Sequence, residues 1–283
     1  MEDLKLAFET VIVGLLAIPW LLVLCHILIH FFTGSSLLDG VRRFIQADEK
    51  SFALIGTVII GLAYCAGTIL FPIADNLFNK NRQILGIHIE SDESIRNATI
   101  VKLYFHNKYY TISEKDFPDL PDVQNKVAAL KERGKQIDLH QEESISHEEL
   151  DDLIHPIYNF QKYHSYNSAK GYEILKPLSS RIVVLRGAVL NGVCLLYSLI
   201  IFFIYTLLQL LYKLRFPAVR RVLVRSRNRL TRAVTTQTIT ILFLTILVWF
   251  LCWWGAWGVS KAEEEYDKHV VGIFYGSKAV SNK

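Results

Sequence analysis

Cysteine is scarce in this chain. The four residues present, Cys25, Cys65, Cys194 and Cys252, all fall inside apolar segments, where each acts as a small hydrophobe. That placement excludes a disulfide framework, and no spacing fits a zinc site. Chemical signatures are missing as well. No HExxH pair, nucleophile elbow, phosphate loop or dinucleotide fingerprint occurs, so nothing in the sequence calls for an enzyme or a bound cofactor. There is no internal repeat and no long low-complexity linker. Acidic residues are absent from 213–232, although the whole chain carries 27 acidic and 31 basic residues for a net charge of +4.

Apolar sequence is abundant instead. Of 283 residues 51% are hydrophobic, and the mean hydropathy is +0.26, above what a water-soluble domain carries. A bilayer hydrocarbon core of roughly 30 Å needs about 20 apolar residues in a helix, and four runs meet that length. They cover about 6–32, with Pro19 in the middle, about 52–73, about 182–212 with Arg186 inside, and about 236–259. The first run is not read as a cleaved signal peptide, because Met1 to Lys5 is net acidic and no small-residue cleavage site follows it. The third exceeds what a bilayer needs, so its helix is expected to project or tilt.

The expected fold is mainly α: a four-helix integral membrane protein with a small extramembrane domain inserted between the second and third spans. Residues 1–73 form one transmembrane hairpin, 74–180 the insert, 181–259 a second hairpin with a basic loop at 213–235, and 260–283 a tail. The insert reads as mostly helical, or α+β. A strand hairpin is expected over Ala98 to Ser113 across Asn107-Lys108. A short helix follows from Val123 to Arg133, closed by Gly134, and another begins at a Ser146 cap. Gly171 and Pro177 are expected to break the approach to the third span.

Basic residues in short loops set the orientation. The loop at 213–235 holds eight of them with no acid, and Arg42, Arg43 and Lys50 lie between the first two spans, so both loops read as cytoplasmic. Both termini and the insert are then extracytoplasmic, in a multi-pass protein of a bacterial inner membrane.

Site candidates follow from charge in unusual places. Asp75, Arg181 and Arg186 are ionisable at or near membrane depth, where they must pair or reach water. Ala63 and Gly67, and likewise Ala188 and Gly192, make small-residue faces that allow close helix approach. If those two faces meet, the rise of about 1.5 Å per residue puts Asp75 level with Arg181, with Arg186 as the alternative partner. His26 and His30 share one helix face, yet no other span offers a histidine for haem ligation, and hydrogen bonding at the interface is the simpler role.

The insert holds 17 of the 27 acids and six of the nine histidines. His147, Asp151 and His155 sit at helical spacing and are the candidates for a divalent metal or a pH response, against the plainer reading of a solvated acidic face. Asn97-Ala98-Thr99 is a glycosylation sequon. Trp249, Phe250, Trp253, Trp254 and Trp257 form an interfacial aromatic belt. Arg220, Arg221, Arg225, Arg227, Arg229 and Arg232 would contact anionic lipid of the cytoplasmic leaflet or a cytoplasmic protein partner, with nucleic acid disfavoured.

The bilayer itself and a second copy of the chain are the other expected partners. Taken together these features fit a non-catalytic sensor, signalling or scaffold component. An oligomeric channel or pore-forming effector is the alternative, and a membrane-embedded enzyme or transport accessory subunit ranks below both.

Overall fold

The computed structural model describes residues 2–33, 50–106, 110–118, 120–138, 147–215 and 227–281. It is mainly helical. In chain order the elements are α1 (Glu2–Leu15), α2 (Ile18–Thr33), α3 (Lys50–Phe78), β1 (Arg82–Ile84), β2 (Ile87–Ile89), α4 (Asp92–Val101), α5 (Pro121–Asp138), α6 (His147–Asn167), α7 (Ala169–Arg215) and α8 (Arg227–Ser281). The chain divides into two compact units, one of residues 1–75 with 186–255 and the other of 76–185 with 256–283.

Among the described residues three helices are long and apolar enough to cross a membrane: Gly56–Phe78 in α3, Ala169–Gln209 in α7 and Thr238–Ser277 in α8. A fourth crossing is counted if α1 and α2, bent by 43° where they join, make one span. Forty residues of α8 are about twice what a hydrocarbon core of roughly 30 Å requires. Lys261, Glu263, Glu264, Glu265, Asp267 and Lys268 confine the apolar part of α8 to the residues before Ser260. In the same way Lys170, Glu173, Lys176 and Arg181 confine the apolar part of α7 to the residues after Arg181.

In the first unit the α1–α2 bend has a local cause. Pro19 has no N–H to donate, and the preceding turn tightens so that Ala17 N donates to Gly14 O at 3.0 Å rather than to Val13 O. The Val13 carbonyl therefore loses its helical donor. α1 and α3 approach until their backbones touch: a Cβ on Gly14 would overlap the Ala63 carbonyl, and one on Gly67 would overlap the Thr10 carbonyl. Ala63 and Gly67 thus have α1 as their nearest neighbour, and Gly192 has Cys252 on α8. The level pairing of Asp75 with Arg181 required the two small-residue faces to meet, whereas Gly67 closes against Thr10 of α1 and Gly192 against Cys252 of α8.

The second unit departs from the expectation in its elements. No strand hairpin forms over 98–106. The residues up to His106 are helical, Asp92–Val101 as α4 and Lys102–His106 as a π turn, while the expected turn at Asn107-Lys108 lies outside the described residues. Ser91 caps α4 by accepting a hydrogen bond from Ser94 N at 3.2 Å, and Asp92 and Glu93 suit its first turn. Ile95, Thr99 and Leu103 are buried at four-residue spacing, so the apparent alternation concealed a helical period.

The hairpin of this unit comes earlier. β1 pairs antiparallel with β2 from Arg82↔Ile89 to Ile84↔Ile87, around Leu85 and Gly86, both at positive φ, as a two-residue turn requires.

α5 continues through Gly134, which does not end it. A Cβ there would strike the Phe105 ring, so this glycine serves close packing. α7 likewise contains Gly171 and Pro177 without a break, and the interruption falls earlier, at Ser168. The Ser168 hydroxyl donates to Ser165 O at 2.9 Å and accepts from Gly171 N at 3.0 Å. Ser146 lies outside the described residues.

The largest correction concerns the C-terminal segment, expected to be a tail. Residues 256–277 continue α8, and Ala262, Tyr266, Val270, Val271 and Phe274 are buried in one cluster with Leu103, Phe117, Leu130, Ile154, Ile157 and Leu175. The Phe274 ring stacks on Phe117 and meets Phe160 edge-on, each at 6.0 Å.

Candidate functional site: buried polar groups in each unit

In the first unit Arg186 Nη1 lies 3.3 Å from Asp75 Oδ1. The arginine is 12% exposed and the aspartate 45%, so one partner is nearly enclosed and the other is about half exposed. Arg181 is exposed and belongs to the second unit, so the alternative partner, Arg186, makes the pair. One turn further on, buried Asn191 donates from Nδ2 to Val13 O and to Gly187 O, both at 2.9 Å, and accepts from Trp20 Nε1 at 2.9 Å. It supplies the donor that the Val13 carbonyl lost at the bend. Gly187, rather than its neighbour Ala188, is the residue held tightly against Val13.

His30 Nδ1 is 2.8 Å from Tyr205 Oη and 3.0 Å from Gln209 Nε2, and Gln209 also donates to Tyr205 at 2.6 Å. The His26 ring stands 6.0 Å from that of His30 and meets Phe202 edge-on. Both histidines are thus occupied within the helix bundle as hydrogen-bonding and packing groups.

The metal candidates of the second unit separate on inspection. Asp151 is bound by the Arg96 guanidinium, a cation already in the place a metal would need. His155 Nε2 is 2.8 Å from Asn159 Nδ2, and the His147 side chain lies outside the described residues. Among the described residues no group of three or more ligating side chains could hold a metal ion.

Glu93 hydrogen-bonds Asp151, which raises its pKa, with burial adding to the effect. Burial pushes Asp151 upward too, but the hydrogen bonds with Glu93 and Arg96 outweigh it and leave this carboxyl below the usual range. Asn97 and Thr99 of the sequon are buried in α4, at 2% and 3% exposure, so a glycan has no place on the folded domain.

Deeper in this unit lies a set of polar groups that sequence reasoning missed. Tyr158 Oη on α6 donates to Asp267 Oδ1 on α8 at 2.5 Å, and both residues are buried. Arg96 sits over the Tyr158 ring, 5.6 Å from its centroid. Burial raises Asp267 to about 7 even though the Tyr158 hydrogen bond and the charges of Arg96 and Lys162 pull the other way. Burial likewise raises Tyr158 well above the usual phenol range, helped by the charge of Asp267.

Around this pair, Tyr266 donates to Tyr166 at 3.1 Å and Ser165 Oγ donates to Val270 O at 2.8 Å. Gln161 Nε2 donates to Tyr104 at 2.7 Å, and burial takes Tyr104 up to about 12. The signal for this site was present in the chain: Ala262, Tyr266, Val270 and Phe274 recur every four residues and share a face with Glu263 and Asp267.

Of the basic loop, Arg220, Arg221 and Arg225 lie outside the described residues, and Arg227, Arg229 and Arg232 occupy the first turns of α8. Comparison with protein-family models, with curated proteins and with solved structures returns no match.

Proposed function

We propose that this chain is a four-span integral membrane protein of a bacterial inner membrane, acting as a non-catalytic sensor, signalling or scaffold component. Both termini and the domain at 74–180 are extracytoplasmic, and the basic loop at 213–235 meets anionic lipid or a protein partner inside. The observation that carries this reading is α8. It is one helix of 55 residues, beginning with the arginines of that loop and ending among the core side chains of the second unit. A change in the domain core therefore acts directly on a helix whose other end is the basic segment. Coupling of this kind needs two packing states of similar free energy, and a buried titratable pair in the core is a means to have them.

The competing reading is an oligomeric pore lined by Arg186 or Asn191. Against it stands the use already made of both: Asn191 spends two N–H donors and its oxygen within its own unit, and Arg186 faces Asp75. The test is mass measurement of the purified detergent complex followed by planar-bilayer recording. Absence of conductance at any assembly size supports the sensor or scaffold reading. A ring-sized assembly whose conductance changes in Arg186→Ala overturns it.

A further inference from the structure

Helix α8 brings two buried carboxyl groups, Glu263 and Asp267, one turn apart to the edge of an apolar and aromatic cluster, where the other buried polar side chains, among them Gln161 and Ser165, are neutral. Among the described residues Asp267 has a single hydrogen bond, from Tyr158. A carboxylate has about four lone-pair sites to fill, so one donor leaves an anion poorly solvated, whereas a protonated carboxyl needs far less. The charged and titratable groups around it are Tyr158 and Lys162 on α6, Asp92 and Arg96 on α4, and Glu263 and Tyr266 on its own helix. Arg96, the cation over the Tyr158 ring, is already paired with Asp151, and Asp92 opposes a negative charge on Asp267.

We propose that the Asp267 carboxyl is a proton-binding site that seats α8: protonated, it holds the C-terminal turns of the helix against α6, and ionised, it loosens them. The proposal names the proton as the ligand of the sensing reading and rests on that reading. Burial of the carboxyl places its titration near neutral pH. Because this acid is raised above its unfolded value, the folded state holds the proton more tightly. The seat is then firmest in acid and weakens as pH rises from about 4 through about 7.

Hydrogen exchange of residues 262–276 in the full-length protein, measured in nanodiscs between about pH 5 and pH 9 and corrected for intrinsic exchange, tests it. Protection of the wild type should fall by about tenfold or more between about pH 5 and pH 7 and level off above it, and that of Asp267→Asn should stay level, since one unit of pKa corresponds to tenfold. Tyr158→Phe removes the bond that favours the ionised form, so its fall should continue to higher pH before levelling off.

A level wild-type profile, or an Asp267→Asn profile that follows a falling wild type, overturns the proposal. Should Asp267→Asn fail to fold, the infrared band of a protonated carboxyl in the wild type decides. Its loss near neutral pH, displaced upward in Tyr158→Phe, supports the site, and its absence at mildly acidic pH refutes it. Failure here leaves the sensing reading to its own conductance test, which does not depend on pH.

Discussion

Asn191 shows how one side chain can compensate for a break in a helix. If it becomes Leu, the Val13 carbonyl and the Trp20 indole N–H both lose their partners in an apolar setting, at a cost of about 2–4 kcal/mol. Thermal unfolding in detergent should show that loss, and Asn191→Asp should not restore it, because a carboxylate cannot donate to Val13 O or Gly187 O. For the ion pair the expectation is smaller, since Asp75 is half exposed. Asp75→Asn should destabilise by about 1–2 kcal/mol, and Asp75→Asn/Arg186→Gln by less than that, because the single change leaves the enclosed guanidinium without its carboxylate. Equal losses from the single and double variants would mean the pair contributes nothing. Asp267, by contrast, was legible only in part: the recurrence of Ala262, Tyr266, Val270 and Phe274 marks the buried face it shares, whereas its bond from Tyr158 depends on the packing of α8.

At the scale of elements, the long apolar runs were legible because length and composition alone decide whether a helix can cross a bilayer. Register between helices was not. Arg181 was favoured over Arg186 by assuming that the small-residue faces of α3 and α7 meet, whereas α3 sits on α1 through Thr10, Gly14, Ala63 and Gly67. A motif of small residues fixes how closely two helices approach but not which helix is the partner. Gly14→Leu or Gly67→Leu should therefore separate α1 from α3, and a cysteine pair at Val11 and Tyr64, or at a neighbouring position, should lose crosslinking yield in either background. Undiminished crosslinking would show that neither glycine is needed.

The second unit was misread for a related reason. A segment such as 95–105 satisfies both a two-residue and a four-residue period, and the Ser91 cap selects the helical one. Gly134 and Gly171 looked like stops, yet each is a place where another part of the chain comes too close for a side chain.

For the whole molecule the decisive prediction is orientation. From Arg232 to Trp253 is about 21 residues, or roughly 32 Å of helix, which matches the hydrocarbon thickness with basic residues at one boundary and indoles at the other. Single-cysteine variants at Ser144 and Ser226 should label differently: position 144 from outside intact cells, position 226 only after permeabilisation. Labelling of position 226 from outside would invert the topology.

The burial of Ala262, Tyr266, Val270 and Phe274 in the core formed by 100–182 also has a consequence for biosynthesis. Those side chains leave the ribosome roughly 90–100 residues after Leu175, so residues 92–182 are made before the part of α8 that completes their core. During that interval Phe117, Leu130 and Ile157 lack part of their cover, and folding is held open until residues 262–274 have been made. Nascent chains arrested before residue 262 should be cut readily between 92 and 182 by added protease, and chains released at full length should resist it. The finished core then reports that the chain has been made through residue 274.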